Sequence, residues 1–176
     1  MIFSSNKIRF MYFALIIFIG SLLYVPSGFA GTSHPNAPGF NLKVLNPSAS
    51  GYKSFSLSAQ KGHVIILNFF ATWCHSCRNE IPSIVRFYNS YKAKGVIVVG
   101  INVNDSPAGV STFSRLYDIT YPVVYASSSL ISDYGDVSEI PQTFFISRSG
   151  KIMFQWVGEV PEGVLTGVVN RLLSMR

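Results

Sequence analysis

Cysteine, histidine and charge are all scarce in this chain, whose 176 residues include two Cys, three His and 12% charged residues. A structural zinc site needs about four ligands. Because His34, His63 and His75 lack H-x3-5-H spacing, we expect neither a metal nor a cofactor. The basic residues form no run and no basic–aromatic stripe, so we also expect no nucleic-acid partner. Nearly half of the residues, 48%, are hydrophobic, which excludes a disordered chain.

The N-terminal residues 1–30 have the layout of an export signal. Lys7 and Arg9 precede an uncharged apolar run, residues 10–25, and small residues follow up to Ala30. This pattern predicts a secretory signal cleaved after Ala30. The alternative is an uncleaved anchor, because the run is nearly long enough to cross about 30 Å of hydrocarbon. Either form predicts a bacterial protein of the periplasm or of the outer face of the cytoplasmic membrane, with membrane contact only if the segment is retained.

Beyond this segment the sequence predicts one domain. Residues 31–39, rich in Pro, Gly and polar side chains, are interpreted as a tether, and residues 40–176 as the domain. Alternation of apolar and polar residues at 40–45 and 52–57, on either side of a Pro- and Gly-containing turn, predicts a β-hairpin.

The rest of the domain alternates strands with helices. Continuous apolar runs at 63–71 and 96–103 predict strands buried on both faces. Between them, apolar residues at three- and four-residue spacing predict an amphipathic helix from Cys74 to about Lys94. Further predicted elements are a helix at 107–118, a strand at 121–125, a helical turn within 127–137, strands at 142–147 and 151–158, and a helix beginning near Pro161. This order predicts an α/β fold with a central mixed sheet flanked by helices.

The two cysteines, Cys74 and Cys77, are separated only by His75 and Ser76. A c-type haem site needs His directly after the second Cys, where this chain has Arg78. A structural disulfide is compatible with an exported protein, but closing so small a loop stabilises a fold only weakly. A redox-active dithiol is the remaining interpretation.

The predicted position of the pair supports redox chemistry. Cys74 follows a buried strand and opens a helix, where unpaired N–H groups and the helix dipole favour an anion. The pKa of the Cys74 thiol should therefore fall, which favours the attacking thiolate. Cys77, one turn further into the helix, should be more buried and should resolve the mixed disulfide that Cys74 forms with a partner.

The segment NFFATWCHSCRNEIP, residues 68–82, resembles the active site of the thioredoxin fold, specifically that of the exported TlpA/ResA-like thiol–disulfide oxidoreductases of the cytochrome c maturation type. Other segments follow in that family's order: APGFNL, KGHVIILNFFATWC, GVIVVGINVND, YPVVY, IPQTFFISRSGKI and WVGEV. The resemblance covers about residues 36–176. It implies a thioredoxin-like fold with an N-terminal β-hairpin.

The resemblance also implies roles for residues that surround the dithiol. Trp73 would cover the dithiol, the alternative being an ordinary core aromatic. Pro141 matches the family's cis-proline beside the cysteines, the alternative being a strand-edge proline. Ile140 would then offer its backbone to a partner chain in strand-like pairing. Pro82, inside the helix, would kink it.

Glu80 is a candidate proton acceptor. Positions 74, 77 and 80 share one helical face, so the Glu80 carboxylate would take the proton of Cys77, directly or through water. Ordinary thioredoxins use a buried Asp on the preceding strand, where this chain has Asn68, which cannot titrate. ResA-like members resemble this chain in carrying a Glu six residues after the first Cys. The alternative is a surface carboxylate in the first helical turn.

The family resemblance implies an exported protein disulfide reductase. Its partners would be disulfide-containing proteins such as apocytochrome c and a membrane protein that donates electrons as thiols; general disulfide reduction is the alternative. A thiol peroxidase needs Pro and Thr or Ser where this chain has Leu67 and Ala71, and a copper chaperone needs C-x-x-x-C with a distant His. Both are disfavoured.

Overall fold

The computed structural model describes residues 34–175. The predicted signal or anchor, residues 1–30, lies outside the described residues. Within the described part, no helix is both long and apolar enough to cross a membrane.

An antiparallel hairpin comes first, formed by β1 (Asn41–Lys43) and β2 (Ser54–Ser56) as predicted. Its connection contains a helical turn that the sequence analysis missed, α1 (Pro47–Ser50). Asn46 fixes the hairpin to the main sheet, because its amide group donates to the Tyr121 carbonyl (2.9 Å) and its amide oxygen accepts from the Val123 N–H (2.9 Å).

The central sheet has five strands. They are β3 (Val64–Phe70), β4 (Val96–Asn102), β5 (Val123–Tyr125), β6 (Gln142–Ile146) and β7 (Ile152–Val157), in the order β5-β4-β3-β6-β7. β3 pairs with β4 in parallel and with β6 antiparallel, and every residue of β3, β4 and β6 is buried. This confirms the predicted mixed sheet and its doubly buried strands.

Four further helices surround this sheet: α2 (His75–Tyr91), α3 (Pro107–Leu116), α4 (Ser128–Asp133) and α5 (Glu162–Ser174). The predicted amphipathic helix is confirmed as α2, which contains Pro82 and continues as a 3-10 turn over Lys92–Lys94. Gly95 ends that turn with a φ of 83°, a left-handed conformation that glycine adopts without a Cβ clash.

The strand directions divide the domain into two ends. At the dithiol end, β3, β4, β5 and β7 finish, β6 begins, and α2 and α5 start. At the opposite end, β3 and β4 begin, β6 finishes, β7 begins, and α2, α3 and α5 finish. The predicted tether reaches this opposite end: the Pro35 carbonyl accepts from Ile152 N–H, and Ala37 N–H donates to the Gly150 carbonyl, both at 2.9 Å.

Candidate active site

Cys74 and Cys77 form a disulfide, with their Cα atoms 5.3 Å apart. Cys74 is the N-cap of α2, as predicted, and its Sγ accepts from the Cys77 N–H at 3.2 Å. Cys74 is 7% exposed and Cys77 is 0% exposed. The first cysteine is therefore the more accessible of the two.

The loop that delivers Cys74 is tied to the end of β4. Thr72 donates from its N–H and its hydroxyl to the two carboxylate oxygens of Asp105, both at 2.7 Å. Asn102 donates to the same carboxylate at 2.7 Å. The sequence analysis missed Asp105, although a signal existed: β3 and β4 are parallel neighbours, so the residues that follow them lie side by side.

The residues assigned to partner binding surround Cys74. The Ile140–Pro141 peptide bond is cis, which confirms the expected cis-proline. The Ile140 carbonyl oxygen lies 3.8 Å from Cys74 Sγ, and the Ser76 hydroxyl lies 3.4 Å from it. Trp73 is 61% exposed, so the alternative of a core aromatic is wrong. An exposed indole beside the disulfide offers apolar surface to an incoming protein.

Glu80 lies beneath the disulfide, on the buried face of α2, and is only 1% exposed. Its Oε1 accepts from Asn68 Nδ2 at 2.7 Å and its Oε2 accepts from the Val160 N–H at 2.9 Å. The alternative of a surface carboxylate is therefore wrong. Burial raises the pKa of Glu80 from 4.5 to about 7, because the charged form loses its hydration; the two hydrogen bonds lower this pKa, and the nearby charge of Glu159 adds to the increase.

Glu80 and Cys77 are three positions apart on the same face of α2, so they are neighbours on one helix surface. In this disulfide form, the bonded partners of the carboxylate within the described residues are Asn68 and Val160. The direct contact with Cys77 that the sequence allowed is not formed here.

Two partners of this buried polar cluster were missed by the sequence analysis. Thr143, directly opposite Asn68 across β3 and β6, accepts from Asn68 Nδ2 at 3.1 Å, and strand pairing was the signal for it. Val160 acts through its backbone N–H, which leaves no signature in side-chain chemistry. Asn68 Oδ1 is buried and has no hydrogen-bond partner in the described part of the chain.

Between residues 34 and 175, no group of three or more His, Cys, Asp or Glu side chains is placed to hold a metal ion. The site itself consists of a dithiol at a helix start with a buried carboxyl group behind it.

Comparison with known proteins identifies relatives of this chain. The AhpC/TSA family model matches residues 34–155. The thiol-disulfide oxidoreductase ResA of Bacillus subtilis (strain 168) is 34% identical over 135 residues, which cover 77% of this chain and 73% of ResA. The thioredoxin-like protein YneN of the same strain is 37% identical over 125 residues, 69% of either chain.

The solved structures agree with these relatives. A thiol:disulfide interchange protein of the thioredoxin family from Chlorobium tepidum TLS superposes with a TM-score of 0.74 at 32% identity, covering 82% of this chain and 100% of that one. The α/β fold is therefore thioredoxin-like, as expected, and the paired cysteines at disulfide distance are those of an enzyme of thiol–disulfide exchange. This chain belongs to the AhpC/TSA family and is a ResA-like thiol–disulfide oxidoreductase.

Proposed function

We propose that the protein works outside the cytoplasm as a reductant of protein disulfides, with Cys74 as the attacking thiolate and Cys77 as the resolving thiol. The observation that carries this proposal is the unequal placement of the two sulfurs. Cys74 caps α2 and keeps 7% of its surface exposed, whereas Cys77 is fully buried one turn further in. A partner disulfide can reach the first sulfur but not the second.

The reaction would proceed in two exchanges. The Cys74 thiolate attacks one sulfur of the partner's disulfide, forms a mixed disulfide and releases the partner's other sulfur as a thiolate. Cys77 then loses its proton and attacks Cys74 Sγ, which releases the second partner thiolate and closes the Cys74–Cys77 disulfide. The partner gains two electrons from the dithiol. A membrane thiol donor would then supply two further electrons to reduce the Cys74–Cys77 disulfide, and would itself be oxidised to a disulfide.

The start of α2 stabilises the charged forms in both exchanges. The Cys77 N–H already points at Cys74 Sγ from 3.2 Å, and the helix dipole adds to its effect. Both favour Cys74 as a thiolate, whether it attacks a partner or leaves during resolution.

Glu80 would accept the proton of Cys77 during resolution. With a pKa of about 7, its carboxyl group is divided between both protonation states near neutral pH. A base with this pKa takes up and returns a proton with little driving force lost in either direction. The hydrogen bonds from Asn68 and Val160 hold the carboxyl group in place for the transfer.

The partner would bind across the surface formed by Trp73, Ile140 and Pro141. An extended chain can pair with the backbone at Ile140, next to Cys74, in the manner of an added strand. Trp73 would lose its exposed area under the same chain. The similarity to proteins named ResA, together with the family resemblance, supports apocytochrome c with its C-x-x-C-H disulfide as the substrate, and general disulfide reduction as the alternative.

A trapping experiment tests the proposed division of labour. Cys77→Ser should accumulate a mixed disulfide through Cys74 when mixed with an oxidised C-x-x-C-H peptide, because the resolving thiol is gone. Cys74→Ser is the matched control and should accumulate far less. Trapping mainly through Cys77 in the control would reverse the two assignments.

Two further measurements test the substrate and the direction of electron transfer. They are the rates at which the protein reduces defined peptides and the reduction potential of its dithiol. Wild-type protein should reduce the C-x-x-C-H peptide faster than an oxidised peptide of unrelated sequence; equal rates would favour general reduction. Titration against glutathione should give a reduction potential nearer to about −270 mV than to about −120 mV, the range of related folds. A value near the upper limit would make the protein an oxidant.

A further inference from the structure

Charge is divided between the two ends of the domain. Five segments that meet at the opposite end, residues 34–38, 57–64, 91–96, 147–152 and 171–175, contain no Asp or Glu. The connection between α3 and β5 also reaches this end and contributes one acidic residue, Asp118. The exposed basic residues of the five segments are Lys61, Lys92, Lys94, Arg148, Lys151 and Arg171, with His63 beside them. These segments come from five separate parts of the chain, so the fold alone creates this concentration of positive charge.

Backbone hydrogen bonds hold these segments against one another. Gly62 N–H donates to the Arg148 carbonyl at 3.0 Å, and Val64 N–H donates to the Gly95 carbonyl at 3.0 Å. Arg148 Nη1 in turn donates to the Leu173 carbonyl at 2.8 Å, which fixes the end of α5 beside the β6–β7 turn. The basic side chains therefore form one connected surface.

Acidic residues are concentrated at the other end. Of the eight acidic residues in the chain, those in segments that start or finish at the dithiol end are Glu80, Asp105, Asp133, Asp136, Glu139, Glu159 and Glu162. The eighth, Asp118, follows α3 and is the exception, because Thr120, two residues later, donates to the Asn89 side chain (3.3 Å), which also accepts from Lys92 at the opposite end. A negatively charged surface would therefore attract one end of the domain and repel the other.

We propose that the opposite end binds the anionic headgroups of a lipid bilayer and that the dithiol end faces away from it. Lysine and arginine residues on one surface each strengthen attraction to anionic lipid by about fivefold, equivalent to ~1 kcal/mol. The surface is broad and built from several turns, which suits the flat array of headgroups. The exposed Met175, 42% accessible at the end of α5, adds an apolar side chain to this surface.

The path of the chain also supports binding of this end to a lipid bilayer. The described part begins at this end with His34, whose neighbours Pro35 and Ala37 bond to the β6–β7 region. Residues 26–33 alone separate His34 from the apolar run predicted to enter the membrane, and so short a stretch spans at most about 30 Å. A retained anchor would keep the domain near the bilayer, and the basic surface would then decide which way the domain faces.

A cavity of about 220 Å³ at this end offers a place for a headgroup phosphate. Lys61, His63 and Arg148 line it, together with the hydroxyl-bearing Ser147 and Ser149. These are the donors that a phosphate oxygen accepts from.

Vesicle flotation tests the proposal with residues 34–176. This part has a core of its own, and the Chlorobium chain that it covers completely folds without further residues. We expect it to float with vesicles of 30% phosphatidylglycerol in phosphatidylcholine at low salt, and not with pure phosphatidylcholine. Half-molar salt should release it, because the attraction is screened beyond about 3–5 Å. Failure to float with the anionic vesicles would overturn the proposal.

Matched charge reversals distinguish the surface from net charge. Lys92→Glu/Lys94→Glu/Lys151→Glu should weaken binding at least about 100-fold, from about fivefold for each lost cation. The control changes Lys43, Lys53 and Arg78 to Glu, which alters the net charge equally at exposed positions away from this end; Arg78 lies in the first turn of α2, at the dithiol end. The control should keep most of the binding; equal loss in the two triple variants would overturn the proposal.

A footprint on the full chain tests orientation. In lipid nanodiscs, Lys61, Lys92, Lys94 and Lys151 should label more slowly with an amine reagent when the lipid is anionic than when it is neutral. Labelling of Lys43 and Lys53 should not change. Equal labelling at all sites in both lipids would contradict the proposed orientation.

Discussion

The two ends of this domain use charge in opposite ways. At the dithiol end the decisive charge is a single buried carboxyl group, Glu80, whose hydrogen bonds to Asn68 and Val160 fix it in place. At the opposite end the charges are numerous, exposed and surrounded by water. Burial changes the protonation of a group and so gives it chemistry, whereas exposed charges act together over a distance.

The amino-acid composition does not show this contrast between the two ends. The chain has a formal net charge of +6, which indicates only a basic protein. Among residues 34–175, the fold places most of the acidic residues at the dithiol end and six exposed basic residues at the opposite end. The predictions below change one end at a time, so that an effect on the other end would show that the two are not independent.

The largest expected effect is on exchange at the dithiol end. Glu80→Gln should slow resolution roughly 10–10⁴-fold, the usual contribution of general acid–base catalysis with allowance for a bypass by water. In the wild type the rate should rise as pH passes through about 7, where Glu80 ionises, and this step should disappear in the variant. The measurement is a pH–rate profile with a disulfide peptide.

Two controls accompany that profile. Glu162→Gln removes an exposed carboxylate from the same end and should leave the step near pH 7 in place. Lys92→Glu/Lys94→Glu/Lys151→Glu changes the opposite end and should leave exchange with an uncharged peptide unchanged. Superimposable profiles for wild type and Glu80→Gln would remove Glu80 from the mechanism.

Stability should show the next largest effect. Because the pKa of Glu80 is about 7 in the folded protein and 4.5 as an ordinary carboxyl group, the folded state holds more protons between these values. Stability therefore falls as pH rises through this window, by about 3 kcal/mol from this group. Glu80→Gln should lack this component. Guanidinium unfolding of both disulfide-intact proteins at pH 4 and pH 8.5 measures the difference, and parallel pH dependence would show that the pKa is not raised.

Asp105→Asn should have a smaller effect at the same end. The asparagine keeps one acceptor oxygen for three donors from Thr72 and Asn102, so we expect a loss of about 1–3 kcal/mol in the free energy of unfolding. Asp118→Asn, at an exposed position after α3, should change it by less than about 0.5 kcal/mol. Urea unfolding of the two variants makes the comparison. Equal losses would mean that the Thr72 contacts contribute nothing specific.

Glu159→Gln should have the smallest effect. The Glu159 charge is the weakest contributor to the raised pKa of Glu80, so its removal should move the step in the pH–rate profile slightly to lower pH. Glu162→Gln again serves as the control. A shift to higher pH would mean that Glu159 stabilises the ionised form of Glu80, contrary to the repulsion expected between two carboxylates.

The local sequence pattern was sufficient to predict much of the fold and the reactive pair, Cys74 and Cys77. The apolar runs of β3 and β4 predicted buried strands, and the three- and four-residue spacing in α2 predicted an amphipathic helix, because burial imposes these patterns on the sequence. The position of Cys74 at the helix start followed from the change of period at that point. The sequence analysis missed the short helix α1, because one helical turn is too brief to show a period.

Only the tertiary structure determines which distant groups lie next to those elements. Glu80 was a plausible base on sequence spacing, but its burial depends on Asn68 from β3 and on the backbone of Val160, which lies 80 positions away. Asp105 reaches Thr72 because two parallel strands finish side by side. The basic surface exists because strand order and direction bring the ends of five distant segments together. The sequence by itself determined the elements and the dithiol, since these depend on neighbours along the chain; the pKa of Glu80 and the separation of charge depend on neighbours in space.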